Sequence, residues 1–358
     1  MKTVVNIDNK TYDMSQPLFF GKGLALQRYD KSKYPRLFNN FKTQLGFYWR
    51  PEEITLGTRE RTDFKNLPKH EQEIFKNVLS YQILLDSVQT RFIPQMLQDV
   101  SNLELEAAMT WWMAFEQIHS YSYTYIIKDI FNDPSEIFDN ILNNPELVKR
   151  TTTSTSHYND YLNSLPTDTL DEKKKKLYLS LVSMNILEGI RFYVSFACSF
   201  SFGQNKKMEG NAKIIKLINR DENIHLGMSQ FLINTLQNEE SEGFMHIAKE
   251  CEPIVIQMYK DAVQEEMDWA KYLFKDGSIL GLNETILNQY LKHLTNKRLK
   301  AIGKDKIFEE TPNPIAWIKF WTDSDAVQQS PQEVQKIDYQ IGAYNNNIET
   351  MTDSEFDY

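Results

Sequence analysis

Apolar side chains recur at helical spacing along most of the chain, and the places where that spacing fails divide it into three stretches. Residues 1 to about 65 carry little helical periodicity and several breakers, Pro17, Gly21, Gly23, Pro35, Gly46, Pro51 and Gly57 among them, which predicts an irregular arm packed over the body. At Leu67-Pro68 a periodic segment opens, proline being suited to the first helical turn. Its stripe is Ile74, Phe75, Val78, Tyr81, Leu84 and Leu85, with Asp86 at the edge, and Pro94 should kink or end it by removing a donor. A second helix is expected from Asn102 to about Phe131, roughly 45 Å long at 1.5 Å per residue. Shorter helices follow Asp133-Pro134 through about Leu162, and residues 163–171, with Pro166 and several Ser/Thr, read as a loop. A third long helix is expected from about Leu170 to Gly203, a fourth from about Lys206 to Leu236, and others over about 241–275 and 284–302. Asn313 to Trp321 is the last apolar segment. Residues 322–358 hold eight acids, one Lys and three consecutive Asn, the composition of a disordered tail. Strand signals are sparse, so the expectation is an all-α chain with an arm (1–65), a helical bundle (66–321) and a flexible tail (322–358).

Composition narrows the function classes. With 358 residues, 41% of them hydrophobic, a sizeable core is available. The net charge of −9 and a pI near 5.3 argue against a nucleic-acid backbone or an anionic membrane as partner. The only basic run, Lys173 to Lys176, reads as a solvated helix start. No stretch approaches the roughly 20 apolar residues of a membrane span and no signal peptide opens the chain, so a cytoplasmic protein is expected. Cys198 and Cys251 are the only cysteines and form no C-x-x-C pair, which leaves oxygen and nitrogen as the ligands of any metal. The aromatic cluster in Leu45-Gly-Phe-Tyr-Trp49-Arg-Pro reads, from the residues alone, as a hydrophobic anchor.

Within the long helices two stretches stand out: Glu116-Gln-Ile-His119 and Glu222-Asn-Ile-His225. Residues three and four apart share a helix face, so Glu116, His119 and Tyr123 line up while Tyr121 and Tyr125 point elsewhere. A Glu-x-x-His on each of two helices, completed by a carboxylate from each of two more, is the inward-pointing ligand set of ferritin-like dimetal bundles. The two further acids are Asp86 and Glu188, the latter inside the mostly apolar stretch Met184 to Phe200, where a lone acid is costly unless paired or metal-bound. Each precedes a Glu-x-x-His motif by a similar interval, 30 residues from Asp86 to Glu116 and 34 from Glu188 to Glu222. Four carboxylates and two imidazoles suit two redox-active divalent ions better than zinc, which takes four ligands. Tyr123 lies one turn beyond His119, and Phe192 and Phe196, at i+4 and i+8 from Glu188, are expected to share its face and make the neighbourhood apolar. Such shielding is what an oxidised tyrosine needs.

These residues resemble the small, radical-generating subunit of class I aerobic ribonucleotide reductase, from about Leu45 to Tyr339. The motifs are Leu45-Gly-Phe-Tyr-Trp-Arg-Pro-Glu-Glu, Leu84-Leu-Asp-Ser-Val-Gln, Glu116-Gln-Ile-His-Ser-Tyr-Ser-Tyr-Thr, Leu187-Glu-Gly-Ile-Arg-Phe-Tyr-Val-Ser-Phe-Ala-Cys-Ser-Phe, Met208-Glu-Gly-Asn-Ala-Lys-Ile-Ile and Arg220-Asp-Glu-Asn-Ile-His-Leu. The resemblance implies metal ligands Asp86, Glu116, His119, Glu188, Glu222 and His225, a di-iron centre or a pair of manganese ions on the same ligands, and Tyr123 as the radical site. It also implies that Trp49 and Asp221 relay electron and proton beside His119, and that Tyr339 continues the relay in the tail. The tail would dock a large subunit, where ribonucleotides are reduced, and the small subunit would be a homodimer. The stretch between Tyr158 and Lys173 is shorter than in members that insert a hairpin there, and Ser354 to Tyr358 matches the docking tail in character but not in letter. Other ferritin-like oxygenases and iron-storage proteins share the ligand pattern, as a plain helical scaffold could share the charges; Trp49, Tyr123 and Tyr339 set this chain apart from them.

Overall fold

A computed structural model of the chain describes residues 4–10 and 14–322. Tyr339 and the rest of the expected tail beyond Thr322 lie outside the described residues. The helices are α1 (Pro35–Gly46), α2 (Gly57–Asn66), α3 (Lys69–Leu97), α4 (Leu103–Ile130), α5 (Ser135–Ile141), α6 (Pro145–Leu162), α7 (Leu170–Ile186), α8 (Tyr193–Gln204), α9 (Glu209–Asn238), α10 (Met245–Leu273), α11 (Glu284–Ala301) and the short α12 (Lys319–Thr322). No strand occurs among the described residues, only isolated bridges such as Phe19 with Val100.

The long helices begin where capping chemistry allows. Asn102 accepts the Leu105 amide to start α4, Asn144 accepts the Glu146 amide to start α6, and Thr169 with Glu172 forms a reciprocal capping box at α7. Pro94 does not break α3; the helix runs one more turn, to Leu97. At α9 the residue before the helix, Met208, is left-handed (φ 50°) and supplies no side-chain cap. The cap comes from another helix instead: buried Glu60 of α2 accepts the Gly210 and Asn211 amides at 2.8 and 3.2 Å, where a carboxylate also meets the positive end of the helix dipole.

The arm is more ordered than its breakers imply. Pro35 occupies the first turn of α1, Gly46 ends it and Gly57 starts α2 at φ 67°, so these residues mark helix ends rather than an absence of helix. α1 packs along α4 and touches α9, with Gln44 donating to the Ala108 carbonyl. The arm before it is fastened by Glu242, a buried carboxylate that accepts the Leu18 amide, Lys33 Nζ and the Tyr34 hydroxyl.

The centre of the molecule is formed by α3, α4, the α7–α8 run and α9; α3 lies along α4, α8 and α7 along α9, and α3 meets α8 as α4 meets α9. Helices α6, α10 and α11 pack on its outer side. From Leu177 to Gly203 the α7–α8 run is buried at every position, so it has no solvated face. Over 18 residues its mean hydropathy reaches 1.2, enough in length and composition for a membrane span, yet that whole window is enclosed by the bundle. It is interrupted by a π-helical turn, Leu187–Arg191, that carries Glu188. The lysine run at the start of α7 is paired rather than simply solvated: Lys174 donates to the Gly243 carbonyl, Lys175 to Glu250 and Lys176 to Asp168.

Candidate metal centre

The four central elements bring Asp86 (α3), Glu116 and His119 (α4), Glu188 (the π-helical turn), and Glu222 and His225 (α9) to one place in the interior, every one of them at 0% exposure. Two overlapping groups form. One ligand atom from each of Asp86, Glu116, His119 and Glu222 lies within 4.8 Å of the others, and the same holds for Glu116, Glu188, Glu222 and His225. Glu116 and Glu222 belong to both. Two four-residue sets joined by two shared carboxylates would supply the ligands for two ions.

The hydrogen-bonding account of these atoms is incomplete without a cation. Both oxygens of Asp86, Glu116 Oε2, Glu188 Oε2, Glu222 Oε1, His119 Nδ1 and His225 Nε2 are buried with no aligned hydrogen-bond partner. In a protein interior such atoms are costly, and four acids in one dry site are more so. Contacts within the cluster offset part of this. His225 Nδ1 stands 2.8 Å from Glu222 Oε2 and 3.2 Å from Glu116 Oε1, and His119 Nδ1 stands 3.0 Å from Glu222 Oε1. The donor set, hard oxygens with two imidazoles, fits a pair of ions such as iron or manganese.

Burial, reinforced by Glu116 and Glu222, pushes the Asp86 carboxyl well above the usual range, and the same causes act on Glu188. At the two histidines burial works against the charged ring, but the facing carboxylates, Glu222 foremost at His119 and Glu116 at His225, outweigh it and raise both. Glu222 feels the reverse: burial would raise it, while the two imidazoles hold it below the ordinary carboxylate range. Without metal, Asp86, Glu188 and both histidines each hold a proton to higher pH than the free side chain would.

Tyr123 is buried at 0% exposure, its hydroxyl without an aligned partner. Burial and then the neighbouring Asp86 raise it well above the usual tyrosine range, so it stays a neutral phenol. Tyr121 and Tyr125 do point elsewhere, the first to Glu52 and the second to the Ile54 carbonyl. Phe192 and Phe196 are buried and stacked on each other, ring centroids 5.3 Å apart, but the π-helical turn Leu187–Arg191 contains Glu188 and ends just before Phe192, so the i+4 count from an unbroken α-helix does not describe their register.

Trp49 and Asp221 are inside. Trp49 is 3% exposed and its Nε1 donates to Asp221 Oδ2 at 2.7 Å; the same oxygen lies 3.2 Å from His119 Nε2. Arg220 holds the other oxygen through two contacts at 3.0 and 2.9 Å. Asp221 thus bridges an indole and an imidazole, and it orients the ring whose other nitrogen faces the cluster.

Three neighbours went unnoticed in the sequence. Trp112 stacks on His225 with centroids 4.9 Å apart and donates to Glu116 Oε1 at 2.8 Å. Gln89 donates to Glu188 Oε1 and accepts the Tyr158 hydroxyl at 2.9 Å. Spacing could have found the first two, since Trp112 is one turn before Glu116 and Gln89 three residues after Asp86. Tyr158 has no such signal.

Comparison with known proteins places this geometry. Residues 28–314 match the family "Ribonucleotide reductase, small chain". The chain is 44% identical to the ribonucleoside-diphosphate reductase subunit beta of Buchnera aphidicola subsp. Baizongia pistaciae, covering 98% of this chain and 97% of that one. It is 43% identical to ribonucleoside-diphosphate reductase 1 subunit beta of Escherichia coli O157:H7, with 97% of each covered. Among solved structures, the ribonucleotide reductase R2 subunit from Clostridium botulinum superposes with a TM-score of 0.82 at 28% identity, over 90% of this chain and 98% of that one. With its all-α fold and its buried carboxylate and histidine cluster, the chain belongs to the ribonucleotide reductase small-chain family.

Proposed function

We propose that this chain is the radical-generating subunit of a ribonucleotide reductase, and that Asp86, Glu116, His119, Glu188, Glu222 and His225 are the ligands of its metal pair. The observation that carries the reading is the pair of four-residue groups sharing Glu116 and Glu222. When bound, the metal pair supplies the oxidising power, drawn from dioxygen, to remove one electron from a nearby side chain. Iron is the first choice, and manganese fits the same oxygen and nitrogen donors.

The chain's own residues do the rest. Tyr123 is the group oxidised: a phenol that loses an electron also gives up its proton, and Asp86 is the carboxylate that faces its hydroxyl. Burial keeps water and reductants away from the resulting radical. Trp49, Asp221 and His119 form the exit, with the indole N–H on Asp221 Oδ2 so that electron and proton can leave the indole together. Tyr339 continues the path, and the segment after it docks the large subunit. The unit is a homodimer, and the division into arm 1–65, bundle 66–321 and tail 322–358 belongs to the same proposal. Cys198 and Cys251, both buried and unpaired with each other, offer no accessible dithiol, so nucleotide reduction takes place on the partner chain.

The test is reconstitution. The iron-loaded protein alone should reduce no ribonucleotide and should do so once its cognate large subunit is added. Turnover without that subunit, or none with it, contradicts the reading.

A further inference from the structure

Glu188 sits in the one π-helical turn among the described residues, Leu187–Arg191. Such turns give up good backbone hydrogen bonding and occur mostly at functional sites. Something must hold this one.

Arg298 reaches it from α11. The side chain is fully buried, and its stem passes over Gly189: a Cβ on that residue would stand 3.0 Å from Leu226 Cδ1 and 3.2 Å from Arg298 Cγ. A larger residue there would require Leu226 and the Arg298 stem to give way by a few tenths of an ångström. Arg298 Nε donates to the Gly189 carbonyl at 3.4 Å, Nη2 donates to the Tyr193 hydroxyl at 2.9 Å, and the guanidinium lies 5.2 Å from the centre of the Tyr193 ring. Tyr193 in turn donates to Asn223 Oδ1 at 2.9 Å, and Asn223 directly follows Glu222. One buried chain of contacts therefore joins the turn bearing Glu188 to the turn bearing Glu222 and His225.

We propose that Arg298 and Tyr193 are positioning residues for the metal centre: Arg298 holds the π-helical turn in the register that presents Glu188, and Tyr193, through Asn223, locks that turn to the ligands on α9. Neither side chain is a ligand. The proposal rests on the dimetal reading above and concerns the second group, Glu116, Glu188, Glu222 and His225, rather than the group containing Asp86 and His119. A fork that contacts a carbonyl and a hydroxyl at once is not replaced by lysine.

The test uses the full chain, metal-free, titrated with Mn(II) while the free ion is followed by electron paramagnetic resonance. Wild type, Tyr193→Phe, Arg298→Met and Glu188→Ala are compared, and each metal-free protein is also melted. Wild type should bind in two steps, and Glu188→Ala identifies the step that depends on the second group. That step should weaken about tenfold to a hundredfold in Tyr193→Phe and Arg298→Met. The other step, which shares Glu222 but not Glu188, should weaken less. Tyr193→Phe keeps the ring and removes a single hydroxyl, so it should fold, melting somewhat below wild type because Arg298 and Asn223 each lose a buried partner, and it carries the test even where Arg298→Met folds poorly. An unchanged isotherm in Tyr193→Phe, or equal weakening of both steps, overturns the proposal. A wild type that binds no Mn(II) at all overturns the dimetal reading beneath it, and the two failures are thereby distinguished.

Discussion

His119 and His225 occupy the same place in the same four-residue motif, yet their surroundings differ. The outer nitrogen of His119 meets Asp221, which also holds Trp49 and is itself held by Arg220. His225 lies flat against Trp112, and its Nε2 has no aligned partner. One histidine is wired outward by polar contacts, whereas the other is closed off by an indole whose own N–H turns back to Glu116. On the proposed reading, a repeated ligand motif builds two half-sites that hold metal alike and differ in how charge can leave, with Trp49 part of a route and Trp112 part of a wall.

The comparison breaks most completely at the carboxylates the two halves share. Glu222→Ala should abolish binding of both ions, because Glu222 belongs to both groups, while Asp86→Ala should remove one and leave the other. Iron content per chain after reconstitution measures this: roughly two in wild type, one in Asp86→Ala and none in Glu222→Ala. Equal loss in the two variants would mean that the halves are not joined as described.

The two tryptophans come next. Trp49→Phe should leave metal loading and the Tyr123 radical near wild type while abolishing nucleotide reduction with the large subunit, since phenylalanine cannot relay an electron and leaves Asp221 without its indole donor. Trp112→Phe should behave in the opposite way, lowering metal affinity about tenfold through the lost hydrogen bond to Glu116 while preserving turnover in whatever fraction loads. Metal content and turnover measured on the same preparations separate the two. Tyr339→Phe, in the segment beyond the described residues, should resemble Trp49→Phe, and deletion of residues 345–358 should weaken large-subunit binding and leave the radical intact.

The smallest effect is a pH dependence common to both halves. Asp86 and Glu188 are raised by burial and their acidic neighbours, and His119 and His225 by the carboxylates that outweigh burial, so the metal-free site is protonated where free carboxyls would not be. A metal must displace those protons. Apparent affinity should therefore rise as pH rises, with proton release on binding measurable by calorimetry in buffers of different ionisation enthalpy. Affinity that is flat or falls with pH over the carboxylate-to-imidazole range contradicts this account of proton and metal competition.

Much of this was legible beforehand, for a physical reason. Ligands on helices must recur at helical spacing, so Glu116 with His119 and Glu222 with His225 declare themselves, and a buried acid in an apolar run such as Glu188 asks for a partner. Asp221 gave no such sign, because an acid between Arg220 and Glu222 looks solvated until the fold shows it at 0% exposure. Helices α1 and α2 were hidden by Pro35, Gly46 and Gly57, which a reading of breakers takes as irregular chain although they stand at helix ends. The π-helical turn was hidden differently: Met184 to Phe200 is buried on every side, so its sequence has no polar face against which one extra residue per turn could be noticed. Arg298 and Tyr193 depend on contacts between distant segments and leave no trace in local spacing.

The central claim is that Tyr123 is the side chain that gives up an electron when the shared-carboxylate cluster holds its metal pair and dioxygen is the oxidant. Electron paramagnetic resonance of the metal-free protein after addition of ferrous iron and oxygen tests it directly, on wild type and Tyr123→Phe side by side. The account predicts a stable tyrosyl radical signal in wild type that is absent from Tyr123→Phe at equal iron content. The same organic-radical signal in both proteins would contradict it.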